Sequence, residues 1–222
     1  MTLQIPVWLG PEHITLAAVR ACGDNLQAVA TANWTSDPFL PSTLPATPTN
    51  YSPKGVPNDG GYYMRENVPT DSPRPIPFVE FWIDGQPGIS QFTDGMCSIY
   101  QVRLGIRARV SSAAYKVTSV GPPLIITSTA AQVATLHNWA ISLCRLAQIT
   151  TSEYLASAAL ALEPTSKFGI CWNDILSPPS VDLASPVTPD ANGTISADAV
   201  AFLDVYQRLF VPAGIGGNPA LP

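Results

Sequence analysis

Charge is scarce in this chain. Of its 222 residues only 12% are charged, against ~25% in an ordinary globular domain. A surface this short of charge is covered by hydroxyls, amides and backbone, or else by other subunits. Histidine is nearly missing: His13 and His137 stand far apart. The four cysteines, Cys22, Cys97, Cys144 and Cys171, are spaced 75, 47 and 27 residues apart, with no Cys-x-x-Cys. That is not a zinc pattern. There is no Gly-x-Ser-x-Gly, no Gly-x-x-x-x-Gly-Lys-Ser/Thr, no His-Glu-x-x-His and no Gly-x-Gly-x-x-Gly. The familiar hydrolase, P-loop, zinc-protease and dinucleotide-binding classes lose their support. No catalytic residue, cofactor or metal is expected, and the chain is not expected to be an enzyme.

Long apolar runs are missing too. The nearest, "VATLHNWAISLCRLA", is interrupted by His137, Asn138 and Arg145, so no membrane span is expected. The N-terminal "MTLQIPVWLGPEH" shows neither a basic nor an apolar leader region. Reduced, mostly buried thiols in a protein made in the cytoplasm are the expectation. The formal net charge of −5, from 16 acids and 11 bases, argues against general nucleic-acid binding.

Proline, by contrast, is abundant at 23 residues, about double the usual ~5%. Ten of the prolines lie in residues 36–77. That segment is expected to form neither regular sheet nor helix. It reads as an arm wrapping a neighbouring surface, or as a plain surface insertion. The whole chain, 1–222, reads as one α+β domain, with a loose tail at 212–222.

Elsewhere the periodicities are clearer. "LQIPVWLG" is a short extended candidate. "PEHITLAAVRACGDNLQAVATANW" reads as helix from Pro11, with Gly23-Asp24 breaking or restarting it. Val133, Leu136, Ala140, Leu143 and Ala147 share one face of a second helix. A capping box, Thr150 to Glu153, predicts a third helix at an angle, stopped by Pro164. Strands are expected at 77–84, 97–110, 167–176 and 199–211, with "AAYKVTSV" (113–120) extending the second or forming another. The first two should form a hairpin around "GQPGISQFTDGM". This order predicts an antiparallel β-sheet with helices packed on one face and long Pro-rich loops.

The two hairpin strands hold the unusual charges. In "CSIYQVRLGIRARV", Val102, Leu104, Ile106, Ala108 and Val110 alternate with Gln101, Arg103, Gly105, Arg107 and Arg109. In "PFVEFWID", Val79, Phe81 and Ile83 alternate with Phe78, Glu80, Trp82 and Asp84. One face of each strand therefore builds a core. The other places Glu80 and Asp84 near Arg103, Arg107 and Arg109, with one arginine left over. Glu80, Trp82, Asp84, Arg103, Arg107 and Arg109 are the candidate interface residues, since arginine and aromatics are the usual currency of protein contacts. A solvated face with ordinary ion pairs is the plainer reading, and arginines meeting phosphate as DNA passes is a third. Asp204 and Arg208 on the last strand read as a partner pair.

The order of "PFVEFWIDG", "YQVRLGIRARV", "AAQVATLHNWAISLCRLA", "FGICWNDIL" and "AVAFLDVYQRLFV" resembles the tail-terminator (tail-completion) proteins of long-tailed bacteriophages. The resemblance covers roughly residues 77–211. It implies a small α+β virion subunit, assembled in the host cytoplasm, without catalytic residues. It implies a hexameric ring of identical subunits that caps the tail tube and joins it to the head. The partners implied are further copies of the chain, the tail tube and the neck or connector proteins. Heterologous ring contacts need two complementary faces, and the arginine strand is a candidate for one. Another neck or connector component is a neighbouring reading. A monomeric carbohydrate- or surface-binding module, with Trp8, Trp34, Trp82 and Trp172 as stacking platforms, and an enzyme with an unrecognised site are readings from other classes.

Overall fold

The alternation in residues 97–111 organises the whole architecture. A computed structural model describes residues 11–33, 61–65, 76–91, 97–111, 129–162, 171–180 and 194–210. The elements are α1 (Pro11–Asn33), β1 (Gly61–Met64), β2 (Phe78–Ile83), β3 (Gly88–Gln91), β4 (Cys97–Ser111), α2 (Thr129–Leu162), β5 (Cys171–Ser180) and β6 (Ser196–Phe210). The expected strands at 3–10 and 113–120, most of the 36–77 segment and the 212–222 tail lie outside the described residues.

The strands form one six-stranded sheet, in the order β1-β2-β4-β6-β5, with β3 also on β4. Both helices pack on one face: α1 meets β1, β2 and β4, and α2 meets β4, β5, β6 and α1. The fold is α+β, as expected. The sheet is mixed rather than purely antiparallel, because β1 pairs parallel to β2. That strand lies inside the segment expected to hold no regular structure. Its residues sit between Pro57 and Pro69, in a stretch where no proline removes a ladder donor.

The expected hairpin is present and is longer than its first strand. β2 pairs antiparallel with β4 from Phe78↔Arg109 to Ile83↔Leu104. Gly85 then adopts φ 77°, in the left-handed region that favours glycine. The chain resumes beside the same neighbour as β3, pairing Gly88↔Gln101 through Gln91↔Ser98. Residues Asp84 to Pro87 thus stand opposite only Val102 and Arg103. This is a bulge, pinned by the Asp84 N–H donating to the Arg103 carbonyl at 2.8 Å. At the far edge, β5 runs on through Pro178 and Pro179, which the sequence places in a loop. An edge strand tolerates proline because one side of its ladder is unused, and its pairing with β6 shifts register on both sides of Ser177.

Each helix is unbroken where a break is expected. In α1, Ile14, Ala18, Cys22, Leu26 and Ala30 are all fully buried and follow one another at intervals of four. The stripe passes through Gly23 without losing phase, and its burial outweighs the ~1 kcal/mol that glycine costs a helix. In α2, Leu143, Ala147, Thr151 and Leu155 carry the same four-residue phase across the capping-box residues. Nothing between Thr129 and Leu162 is glycine or proline. Packing therefore decides over the local cap signal.

The inner face of the sheet meets these stripes. Val79, Phe81, Val102, Leu104, Ile106, Ala108 and Val110 are fully or almost fully buried, as the alternation predicts. β6 contributes Ala197, Ala199, Ala201, Leu203 and Val205. Each large apolar chain buried here contributes about 1.5–3 kcal/mol. Several polar groups in this layer are tied down. Gln148 of α2 donates to the Phe202 carbonyl at 2.6 Å and accepts from Arg145 at 2.7 Å. Cys22 lies 3.6 Å from the Thr151 hydroxyl and donates to the Ala147 carbonyl at 3.7 Å. Cys144 donates to the Ile106 carbonyl at 3.6 Å.

Burial pushes both the Cys22 and the Cys144 thiol up from 9.0 to about 12. Below pH ~9 both thiols are protonated in the folded and unfolded chain alike. Above it the unfolded chain releases protons that the folded chain retains, so stability falls as pH rises from ~9 towards ~12. The expected loss is on the order of 1 kcal/mol per thiol by pH 10. Urea unfolding at pH 8 and pH 10 measures it. The Cys22→Ala, Cys144→Ala double variant should lose distinctly less stability over this interval than the wild type; an equal loss would show that the thiols are not buried in this way.

Candidate functional site

The outer face of the sheet, turned away from both helices, carries the charged residues in rows set by register. Phe78, Arg109 and Asp198 share one row; Glu80, Arg107 and Val200 the next; Trp82, Gly105 and Phe202 the third. Arg103 and Asp204 form a fourth, and Gln101 stands opposite Tyr206 beyond it.

The structure brings four of the six candidate residues, Glu80, Arg103, Arg107 and Arg109, into two ion-pair groups, with Trp82 packed between them. Arg65, just past the end of β1, donates to Glu80 Oε1 at 2.8 Å, and Arg107 reaches the same oxygen at 3.3 Å. Arg107 also donates through Nε to Asp198 at 3.0 Å. Arg109 lies 3.8 Å from the second Asp198 oxygen. A continuous chain of alternating charge therefore runs from Arg65, beyond the end of β1, across β2, β4 and β6. The second group is smaller and tighter. Arg103 grips Asp204 with both Nε, at 2.9 Å, and an Nη nitrogen, at 3.3 Å, while Gln101 donates to the same carboxylate at 3.4 Å. The hydrogen bond with Asp204, then its charge, holds the Arg103 guanidinium above its ordinary value.

Asp84 departs from expectation. Its side chain makes no ion pair with any described arginine, although its charge adds to that of Asp204 in raising Arg103. The acids that answer the arginines come mainly from β6, as Asp198 and Asp204. Asp204 was expected to pair within its own strand with Arg208; its partner is Arg103 across the ladder. Arg65 and Asp198 were not anticipated as site residues. The alternation of Asp198, Val200, Phe202, Asp204 and Tyr206 was the available signal for Asp198. Nothing local signalled Arg65.

Aromatic packing separates the two charged groups. The Arg65 guanidinium lies 3.6 Å over the Trp82 ring, a cation–π contact worth about 0.5–2 kcal/mol. Trp82 meets Phe202 edge-on at 6.2 Å, and Tyr63 meets Phe78 likewise at 5.9 Å. Gly105 makes this possible. A Cβ there would collide with the Trp82 ring at Cε2, Cζ2 and Cδ2. The glycine serves close approach and not turn geometry, since its φ is not positive.

Two of the three carboxylates on this face are buried. The side chains of Glu80 and Asp204 are 1% and 2% exposed, while those of Arg103, Arg65 and Arg109 are 48%, 41% and 37% exposed. Those two carboxylates lie beneath the guanidiniums, whereas Asp198, at 36%, is more exposed than Arg107, at 29%. Arg109 is the least satisfied, for its Nε is buried and has no hydrogen-bond partner among the described residues. It is the leftover arginine.

Both oxygens of Asp204 are committed to Arg103 and Gln101, which suits holding a surface in place more than moving protons. Among the described residues no group of three or more His, Cys, Asp or Glu is placed to hold a metal ion. Among them also, no helix is long and apolar enough to cross a membrane. No protein-family model matches the chain, and comparison with curated proteins finds no match.

Gly105→Ala is expected to destabilise the protein by about 1–3 kcal/mol through overpacking against Trp82. Adding Trp82→Leu should recover part of that loss, since the smaller side chain leaves room for the new methyl group. Thermal melts of the single and double variants test this, and an unchanged melting temperature in Gly105→Ala would contradict the close approach.

Proposed function

We propose that this chain is a structural virion subunit that assembles with copies of itself into a ring. The ring would terminate the phage tail tube and join it to the head or neck. The observation that carries this reading is the outer sheet face: a pre-ordered layer of arginine and aromatic side chains, uncovered by either helix. Its composition suits a protein contact. Three of its four guanidiniums, of Arg65, Arg103 and Arg107, are already oriented by buried carboxylates, so docking would cost little further side-chain entropy. The low overall charge and the element order shared with tail-terminator proteins support the same reading. In it the chain has no catalytic role. The carbohydrate-binding alternative is less well supported, because the Arg65 guanidinium already occupies a position over the Trp82 ring.

Size-exclusion chromatography with light scattering, followed by negative-stain imaging, tests the proposal. The expected result is a closed ring of about six subunits, formed alone or on addition of tail tubes. A monomer at high concentration that forms no ring even with tail tubes present would overturn it.

A further inference from the structure

We propose that the arginine face of one subunit docks on the Glu153–Tyr154 turn of α2 in a second copy, so that sheet meets helix layer head to tail. This deepens the ring reading above and rests on it. Two sets of observations point to the pairing.

The first is charge. The face holds four guanidiniums, of Arg65, Arg103, Arg107 and Arg109, against the three carboxylates of Glu80, Asp198 and Asp204. In a chain of net charge −5 the remaining residues therefore carry −6 together. Two of the three face carboxylates are buried beneath the arginines, so what the face shows to a partner is more positive than its formal count. Another copy of the same chain is thus an acidic partner for it. Arg109 adds direction: its nearest anion among the described residues is 3.8 Å away and already shared with Arg107.

The second lies on the other side of the subunit. Glu153 is exposed and has no ion pair or hydrogen bond among the described residues. Its neighbour Tyr154 is the exposed large hydrophobic side chain of the described residues, at 38%. A carboxylate beside an aromatic ring fits a guanidinium beside an aromatic ring, through a charge-assisted hydrogen bond and arginine stacking. The two patches are on opposite layers of the fold, so the contact is heterologous and can propagate around a ring.

The test is a charge swap, read by light scattering across a dilution series in low and high salt. Arg109→Glu and Glu153→Arg should each weaken self-association by at least about tenfold. The double variant should restore it, and salt should weaken the wild-type contact. Arg109→Gln, a milder change, should act in the same direction and guards against misfolding of the reversal, with circular dichroism melts as the control. If the wild type does not self-associate even with tail tubes present, this contact and the ring reading fall together. If it forms rings that the single variants leave intact, the ring reading stands and this contact is wrong. Weakening without rescue in the double variant overturns the Glu153 partner. Loss of duplex-DNA binding in Arg109→Glu, with assembly unchanged, would assign the face to phosphate instead.

Discussion

One register governs this molecule. β4 and β6 pair antiparallel over fifteen consecutive positions, from Cys97↔Phe210 to Ser111↔Ser196. The pairing puts Val102, Leu104, Ile106 and Ala108 on the same side as Leu203, Val205, Ala199 and Ala201, against the helices. A slip of one residue would carry Asp198 and Asp204 into that layer and expel the apolar set. The same register places Asp204 directly across from Arg103 and Asp198 directly across from Arg109. Core and charged face are thus two consequences of one ladder, and neither can shift alone.

The charged face is stabilised from below. A buried carboxylate is costly unless it is paired and hydrogen-bonded, and the arginines pair both Glu80 and Asp204, with Gln101 adding a hydrogen bond to Asp204. The arginines in turn lose freedom they would keep on an ordinary surface. Such pairs add little net stability, because the Coulombic gain is set against the cost of burying the carboxylate. Their main effect is to hold guanidinium groups in fixed positions around Trp82, at the place where Gly105 lets the indole lie against the sheet. That is the physical basis for reading the face as an assembly surface.

Much of this was legible in the sequence, and unevenly so. Strict alternation in β4 named both its core residues and its arginines, because period-2 patterning needs no knowledge of the partner strand. The β2–β4 hairpin was legible because its partners are close in sequence. The β4–β6 pairing was not, since roughly ninety residues and two Pro-rich stretches separate the two strands. Local patterning therefore points to the acids of β2, whereas Asp198 and Asp204 of β6 pair with the arginines. β1 was hidden by the composition of the proline-rich segment around it, and Arg65 with it. In the helices, Gly23 and the Thr150–Glu153 capping box gave local stop signals. The four-residue stripes through Cys22 and Thr151 override them, because burial outweighs propensity.

The central claim is that buried carboxylates fix the arginines of the outer face. A double-mutant cycle on Glu80 and Arg107 tests it most directly, using Glu80→Gln, Arg107→Gln and the pair, with unfolding free energies measured in urea. The account predicts a coupling of about 1 kcal/mol or more. Additivity to within about 0.3 kcal/mol would contradict it, and would leave the face an ordinary solvated surface.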